Sequence, residues 1–164
     1  MSLEIMVISN AISIVSVAII SATSLYGYFK IESRTLLFQG IAFILVTIGL
    51  VSSFFTPYTG FYFEGIGFLI FGLEHIKTVK EEIAPLIIIP YVAGGTIAIF
   101  FALYAGIETL LYYQRTKRGV NLIVGTGLIL VAISILLQMT SQFSSAGYVI
   151  QALGYLVMLS SLVR

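Results

Sequence analysis

Charged residues are scarce in this chain, and cysteine, tryptophan and aspartate are missing altogether. Only 9% of the 164 residues are charged, whereas a soluble domain carries roughly 25%. So little charge cannot cover a surface that faces water. With 59% hydrophobic residues and a mean hydropathy of +1.10, the composition excludes an ordinary soluble domain and predicts an integral membrane protein.

The same absences exclude much of the chemistry that proteins perform. Without cysteine the chain has no disulfide, thiolate metal site, iron–sulfur ligand or nucleophilic thiol. The single histidine, His75, cannot form a bis-histidine haem site within one chain, and a zinc site there would need ligands from another chain. Phosphate-binding glycine loops, H-E-x-x-H motifs and nucleophile elbows are missing. We therefore expect no catalytic residue, no metal site and no cofactor of its own.

Six apolar runs dominate the sequence. A helix needs about 20 mostly apolar residues to cross a bilayer, and most of the runs have about that length. They cover residues 5–28, 35–55, 60–76, 85–113, 120–139 and 146–163. The sequence therefore predicts an all-α fold, a polytopic bundle of six transmembrane helices that forms one membrane domain, residues 1–164, in the cell membrane.

Basic residues indicate membrane orientation, because lysine and arginine are enriched in cytoplasmic loops. With six spans that alternate in direction, four basic residues fall on each side, so no orientation follows. Both termini are predicted on the same side. One side holds Arg115, Lys117, Arg118 and Arg164, and the other holds Lys30, Arg34, Lys77 and Lys80. The net charge of +1 gives no reason to expect a nucleic-acid partner.

The second and fifth runs are alike in sequence. When residues 37–48 are placed over residues 122–133, six of the twelve positions are identical, including a glycine. With a further shift of two residues the third run matches the sixth, and Glu64 falls on Gln151. The first and fourth runs match poorly. The chain is therefore predicted to contain two copies of a three-helix unit.

The two predicted units cover residues 1–80 and 81–164. Because each has an odd number of helices and the connections are short, the second unit should enter the membrane in the opposite sense. The sequence thus predicts an inverted repeat, an arrangement found in many transporters.

A recurring pattern is found in the first unit: a tyrosine-rich helix, a basic turn that contains serine, and a third helix that opens with Glu and then Gly-Phe. The residues that carry it are Tyr26, Tyr28, Lys30, Ser33, Arg34, Gly40, Ile44, Val46, Thr47, Glu64, Gly67 and Phe68. This pattern resembles uncharacterised small archaeal membrane proteins with three helices. The second unit departs from it at Gly119 and Gln151. The resemblance implies an archaeal protein duplicated in tandem and implies no activity.

Two carboxyl groups within the apolar runs are candidates for membrane depth, whereas Glu74 lies at the end of the third run, close to Lys77. Glu64 is near the start of the third run, and Glu108 lies in the fourth, with Tyr104 and Tyr112 one turn away on either side. Ionisable groups at membrane depth are costly and often functional. Glu64 and Glu108, with the two tyrosines as hydrogen-bond donors, are therefore candidates for a proton or ion site. The alternatives are a carboxylate that reaches the headgroups and contact with a partner subunit.

A stripe of small residues follows the fourth run at intervals of four residues. Its members are Gly94, Ala98, Ala102 and Gly106. Small residues at this spacing let membrane helices approach closely. The stripe predicts a helix-packing interface, within the chain or with a partner.

The function is inferred from what the sequence does not contain. The lack of loops, cofactor ligands and a soluble domain favours a noncatalytic accessory or structural subunit of a larger archaeal membrane complex, of the respiratory, terminal-oxidase-like type. Its partners would be membrane lipids and other membrane subunits. Two alternatives stay open: a small inverted-repeat transporter or channel, since such repeats often frame a site at the midplane, and a membrane sensor module.

Overall fold

The computed structural model describes residues 3–75, 91–140 and 144–163, and within them it has helices and no strand. The helices are α1 (Leu3–Ile31), α2 (Arg34–Ser52), α3 (Pro57–His75), α4 (Tyr91–Thr116), α5 (Gly119–Gln138) and α6 (Ser144–Ser160). Each helix lies on one of the six apolar runs. The predicted all-α fold is therefore confirmed.

Four of the helices are long and apolar enough to cross a membrane: α1, α2, the Gly94–Thr116 part of α4, and α5. α6 is apolar but has only 17 residues, and α3 is not among the four. Large apolar side chains on the outside of the bundle, such as Val15, Ile44 and Leu136, are exposed. An outer surface of this kind suits lipid better than water. The four helices could span a membrane, as the composition predicts.

The six helices form a closed ring. Each packs against its neighbours in chain order, and α6 packs against α1. Helices on opposite sides of the ring, such as α3 and α6, do not approach each other through their backbones in the described residues. All six contribute to the core, for example through Val17, Phe43, Phe68, Ala102, Leu128 and Tyr155.

α3 and α4 run in the same direction. Gly65 lies so close to α4 that a Cβ there would be 2.6 Å from the carbonyl oxygen of Gly94. Seven residues further along both helices, Gly72 lies against Phe101. Contacts that advance together along two helices identify a parallel pair. The backbones can meet this closely because glycine has no side chain.

The other neighbouring pairs in chain order are antiparallel, because their contacts advance along one helix and retreat along the other. In α1, Asn10 Nδ2 donates to the Leu50 carbonyl at 3.2 Å, and Ser21 Oγ donates to the Gly40 carbonyl at 2.9 Å. The glycine contacts give the same result for α2 with α3, α4 with α5, and α5 with α6. Consequently α1, α3, α4 and α6 point one way, and α2 and α5 point the other way.

The predicted inverted orientation of the two units is therefore wrong. α1, α2 and α3 have the same directions as α4, α5 and α6, so the two units are parallel. The prediction assumed that every connection joins helix ends on one side of the membrane. The end of α3 and the beginning of α4 instead lie at opposite ends of the bundle, and residues 76–90 between them are outside the described residues. The beginning of α1 and the end of α6 also lie at opposite ends, which contradicts the expected placement of both termini on one side.

The turns that follow α1 and α4 have the same backbone conformation. Glu32 and Lys117 are the two described non-glycine residues with positive φ, at 51° and 55°. The N–H of Glu32 donates to the Tyr28 carbonyl, and the N–H of Lys117 donates to the Tyr113 carbonyl, both at 2.7 Å. Glu32 and Lys117 thus have the left-handed backbone conformation that commonly follows the last turn of a helix. The two turns are 85 residues apart in the chain.

The contact of α2 with α3 is also repeated in the contact of α5 with α6. A Cβ at Gly67 would lie 2.7 Å from the carbonyl oxygen of Ala42, and one at Gly154 would lie 2.9 Å from that of Gly127. Each glycine also lies against a valine one turn further along the facing helix. The two interfaces therefore use equivalent positions, as the sequence match of these helices predicts.

α1 and α4 bury equivalent positions although their sequences match poorly. The buried residues Ser9, Asn10, Ser13, Val17, Ile20, Ser21 and Ser24 of α1 correspond to Gly94, Gly95, Ala98, Ala102, Ala105, Gly106 and Thr109 of α4, all buried and 85 residues later. Most of these pairs share small size rather than chemical type, and Ser16 is an exception, because it is buried while its counterpart Phe101 is large and half-buried. A comparison of residue identities does not detect this similarity in size.

All the basic residues that the structure describes lie at one end of the bundle. This basic end consists of the α1–α2 turn, the α4–α5 turn and the last residues of α3 and α6. Its described basic residues are Lys30, Arg34, Arg115, Lys117 and Arg118, and all five are exposed. The predicted alternation of six spans placed the two basic turns on opposite sides of the membrane, so we expected equal numbers of basic residues on the two sides. Because the units are parallel, both turns lie at the same end of the bundle. Lys77, Lys80 and Arg164 are outside the described residues.

Candidate functional site

Glu64 is the only acidic or basic residue that is buried in the described part of the chain. α3 holds it seven residues after Pro57, about 10 Å along the helix axis. Its side chain is 2% exposed, so the carboxyl group is enclosed by protein and does not reach the surface. A carboxyl group in such surroundings is costly unless it is hydrogen-bonded. The identity of its partners therefore matters.

Two glutamine side chains connect Glu64 to the other unit. Gln151 of α6 donates from Nε2 to Glu64 Oε2 at 3.1 Å. Gln138 of α5 donates from Nε2 to Gln151 Oε1 at 2.9 Å. The chain of donors and acceptors thus runs from α5 through α6 to α3, and its central amide has both its nitrogen and its oxygen engaged.

Two tyrosines of α6 lie beside this chain. The Tyr155 side chain is 0% exposed, and its hydroxyl is buried without a hydrogen-bond partner. Tyr148 is half-buried. Both hydroxyls lie within electrostatic range of the Glu64 carboxyl group. The Tyr155 hydroxyl also lies beside the Gln151 amide, so it adds a further donor and acceptor to the surroundings of Glu64.

Glu64 and Gln151 hold equivalent positions in the two units. Gly60 and Gly147, one turn before them, each lie against a carbonyl oxygen of the preceding helix. Where two similar units are related by a rotation, a residue can meet its own equivalent only beside the rotation axis. The hydrogen bond from Gln151 to Glu64 therefore crosses the centre of the ring, between two helices whose backbones do not pack together.

Glu108 and its two tyrosines do not form part of this site. Glu108 is half-buried in α4, eight residues before the Thr116 end, and its Oε2 atom is buried without a hydrogen-bond partner. Neither Tyr104 nor Tyr112 therefore donates to that oxygen. Tyr112 is 51% exposed. The structure brings Glu64 together with Gln151 and Gln138 of the other unit. Glu108 is not part of this hydrogen-bonded group.

The stripe of small residues on α4 contacts more than one helix. Gly94 lies against Phe61 and Tyr62 of α3, whereas Gly106 lies against Gly125 of α5. Ala98 and Ala102, between the two glycines, are fully buried. The four residues therefore pack within the chain, between the two neighbours of α4 in the ring.

The sequence did not indicate Gln138, Tyr155 or Asn10 as site residues. Asn10 Nδ2 donates to the Leu50 carbonyl and, at 3.0 Å, to Ser53 Oγ, and its Oδ1 atom is buried without a partner. A signal for Gln138 and Gln151 was present, since long amide side chains are unusual within apolar runs. Tyr155 gave no signal, because tyrosine is frequent throughout the chain.

The chemistry available at the centre of the ring follows from these groups. A carboxyl group can take up and release a proton or face a small cation. The Gln151 amide and the Tyr155 hydroxyl can hydrogen-bond a small polar ligand. No protein-family model, curated protein or solved structure matches this chain.

Proposed function

We propose that this protein is a small membrane transporter that moves a proton or a small monovalent cation by way of Glu64. The observation that carries the proposal is an enclosed carboxyl group, hydrogen-bonded across the ring to the equivalent residue of the other unit. Ionisable groups at membrane depth characteristically mark ion or proton pathways. Transporters built from repeated units, parallel ones included, place their site between the repeats.

The proposal includes six membrane-spanning helices in two parallel units. α3 and α6 have 19 and 17 residues, which makes them about 28 and 26 Å long. These lengths are close to the roughly 30 Å of a bilayer core. The proposal is supported by the place of both helices in one ring with the four longer apolar helices.

Tandem duplication of a three-helix membrane protein, of the archaeal type that the sequence resembles, would explain the correspondence of the units. It is supported by the matching turns after α1 and α4 and by the matching glycine contacts of α3 and α6. The two copies would then have diverged most at their centre, where one has Glu64 and the other has Gln151.

Ion flux into vesicles tests the proposed transport. The purified protein is reconstituted into liposomes that contain a dye sensitive to protons, Na⁺ or K⁺, and a gradient of that ion is imposed. We expect flux of one of these ions with the wild type and loss of flux with Glu64→Gln. Glu108→Gln is the matched control, because it also removes one carboxyl group from an apolar helix, and it should leave the flux unchanged. Equal loss in both variants, or no flux with the wild type, contradicts the proposal.

A different experiment distinguishes transport from the expected role as an accessory subunit of a respiratory complex. Exposed apolar side chains surround the ring, but they suit lipid as well as neighbouring subunits, so no observation favours this role. Purification from native membranes in mild detergent would support it if stoichiometric subunits that carry haem or copper came with the protein and no flux was found. The described helices give no support to a sensor module.

A further inference from the structure

We infer that the basic end of the bundle faces the cytoplasm and binds the headgroups of anionic phospholipids there. The described basic residues all lie at this end, three of them around the α4–α5 turn and two around the α1–α2 turn. The opposite end has no basic residue among the described parts of the chain. Because both turns are exposed, their charges can reach the phosphate groups of surrounding lipids.

Acidic residues do not cancel this charge. Two described carboxyl groups, Glu32 and Glu74, lie at the basic end, against five lysines and arginines. Glu74 already accepts a hydrogen bond from the Thr35 hydroxyl at 2.7 Å. At the opposite end, Glu4 lies in the first turn of α1. Among the described residues, the basic end therefore carries net positive charge, and the opposite end carries the negative charge of Glu4.

The parallel direction of the units is what gives the bundle this polarity. In an inverted arrangement the two basic turns would lie on opposite faces, with two of these basic residues on one face and three on the other. In the parallel arrangement they lie on one face, and lysine and arginine in short loops determine which face stays in the cytoplasm. The cytoplasmic leaflet is also the anionic one, and each basic residue near it strengthens association by about fivefold. It follows that α1 begins outside the cytoplasm and α6 ends on the cytoplasmic side.

Cysteine labelling tests the orientation cleanly, because the chain has no cysteine of its own. Gly119→Cys places a thiol at the basic end, at a position where a Cβ has no neighbour within 4 Å. Phe55→Cys places one at the opposite end, where the native side chain is 82% exposed. In intact cells a membrane-impermeant maleimide should label Phe55→Cys at once and Gly119→Cys only after the membrane is opened. Labelling of Gly119→Cys in intact cells would overturn the orientation.

Lipid composition tests the headgroup contact. The thermal midpoint of the protein is measured in phosphatidylcholine vesicles and in the same vesicles with phosphatidylglycerol added. We expect the anionic lipid to raise the midpoint, and high salt to reduce the increase by screening. The increase should disappear in a variant that carries Lys30→Gln, Arg34→Gln, Arg115→Gln, Lys117→Gln and Arg118→Gln. An unchanged increase in that variant, or an equal increase from inorganic phosphate alone, contradicts headgroup binding.

Moving the basic residues to the opposite end of the bundle tests the orientation by a measurement that does not depend on stability. When the five substitutions are combined with Phe55→Lys and Thr140→Lys, the excess of basic residues within the described parts of the chain moves to the opposite end. We expect the labelling of Gly119→Cys in intact cells to appear in this variant, since basic residues determine insertion. If the labelling pattern does not change, the basic end does not determine the orientation, and the inference fails.

Discussion

The two three-helix units pack their backbones in the same way but differ in what they bury. Within its described residues, the first unit buries seven polar or charged residues: Ser9, Asn10, Ser13, Ser16, Ser21, Ser24 and Glu64. Within its described residues, the second unit buries three: Thr109, Ser134 and Gln151. Because the second unit forms equivalent contacts with glycine and alanine at most of these positions, packing depends on small side chains and not on hydroxyl groups. The first unit adds hydrogen bonds to this packing, such as those from Asn10 and Ser21 to backbone carbonyls of α2.

We expect the largest loss of stability from a substitution in the α3–α4 contact, which joins the two units. Gly65→Leu places a side chain against the backbone of Gly94, and neither backbone can move without breaking the α3–α4 contact. We expect a loss of about 3 kcal/mol or more in the free energy of unfolding, measured by thermal denaturation in detergent. Gly119→Leu is the control, because a Cβ at Gly119 has no neighbour within 4 Å. If both variants lost a similar amount of stability, the loss in Gly65→Leu would not be due to the close contact of α3 with α4.

An exchange of Glu64 and Gln151 tests whether their positions are equivalent. Gln151→Leu leaves Glu64 without its donor and Gln138 without its acceptor, so we expect a loss of about 2–3 kcal/mol. In the double variant Glu64→Gln, Gln151→Glu, the new glutamate can accept from Gln138 and from the new glutamine. Its stability should return to within about 1 kcal/mol of the wild type. A double variant no more stable than Gln151→Leu would show that the two positions differ.

Matched alanine substitutions test the repeated interface inside each unit. A Cβ at Gly67 or at Gly154 would lie within 3 Å of a facing carbonyl oxygen. Each variant, Gly67→Ala and Gly154→Ala, should therefore lose about 1–2 kcal/mol, typical of overpacking. Chemical denaturation of both variants side by side measures the difference. The comparison fails if one substitution is costly and the other has no effect.

The smallest expected effect concerns the two turns. Glu32 and Lys117 both have positive φ, a conformation that glycine adopts without strain. Glu32→Gly should stabilise the protein by about 0.5–1 kcal/mol. Lys117→Gly should gain less, because Lys117 Nζ lies 5.8 Å from the centre of the Tyr113 ring and this cation–π contact is lost. A loss of stability in Glu32→Gly would show that the turn is not strained.

The fold was predictable as far as hydropathy determines it. The apolar runs predicted the helices because each helix must bury its backbone polar groups within itself wherever it meets lipid. The direction of α4 was not predictable, because hydropathy locates a helix without orienting it. The sequence match likewise found the correspondence of α2 with α5 and of α3 with α6. It missed that of α1 with α4, where serine is replaced by glycine or alanine of similar size.

The candidate site was predictable only in part. The sequence match placed Glu64 on Gln151, but it did not show that the two residues meet, because that depends on which faces of α3 and α6 are turned to the centre. Glu108 gave the same sequence signal as Glu64, since both are carboxyl groups within apolar runs. Tertiary packing separates them, because it encloses Glu64 among side chains of the other unit and leaves Glu108 only half-buried.

The closed ring also sets an order of events during synthesis. Glu64 and Gln151 are 87 residues apart in the chain, and a ribosome adds roughly 5–20 residues per second, so the nascent chain contains Glu64 for about 4–17 s before Gln151 is made. During that interval the first unit has a carboxyl group without its partner from α6, and the ring is open on the sides that later receive α4 and α6. During synthesis the first unit is therefore a half-built bundle, and its buried carboxyl group acquires its hydrogen-bond donor only when α6 closes the ring.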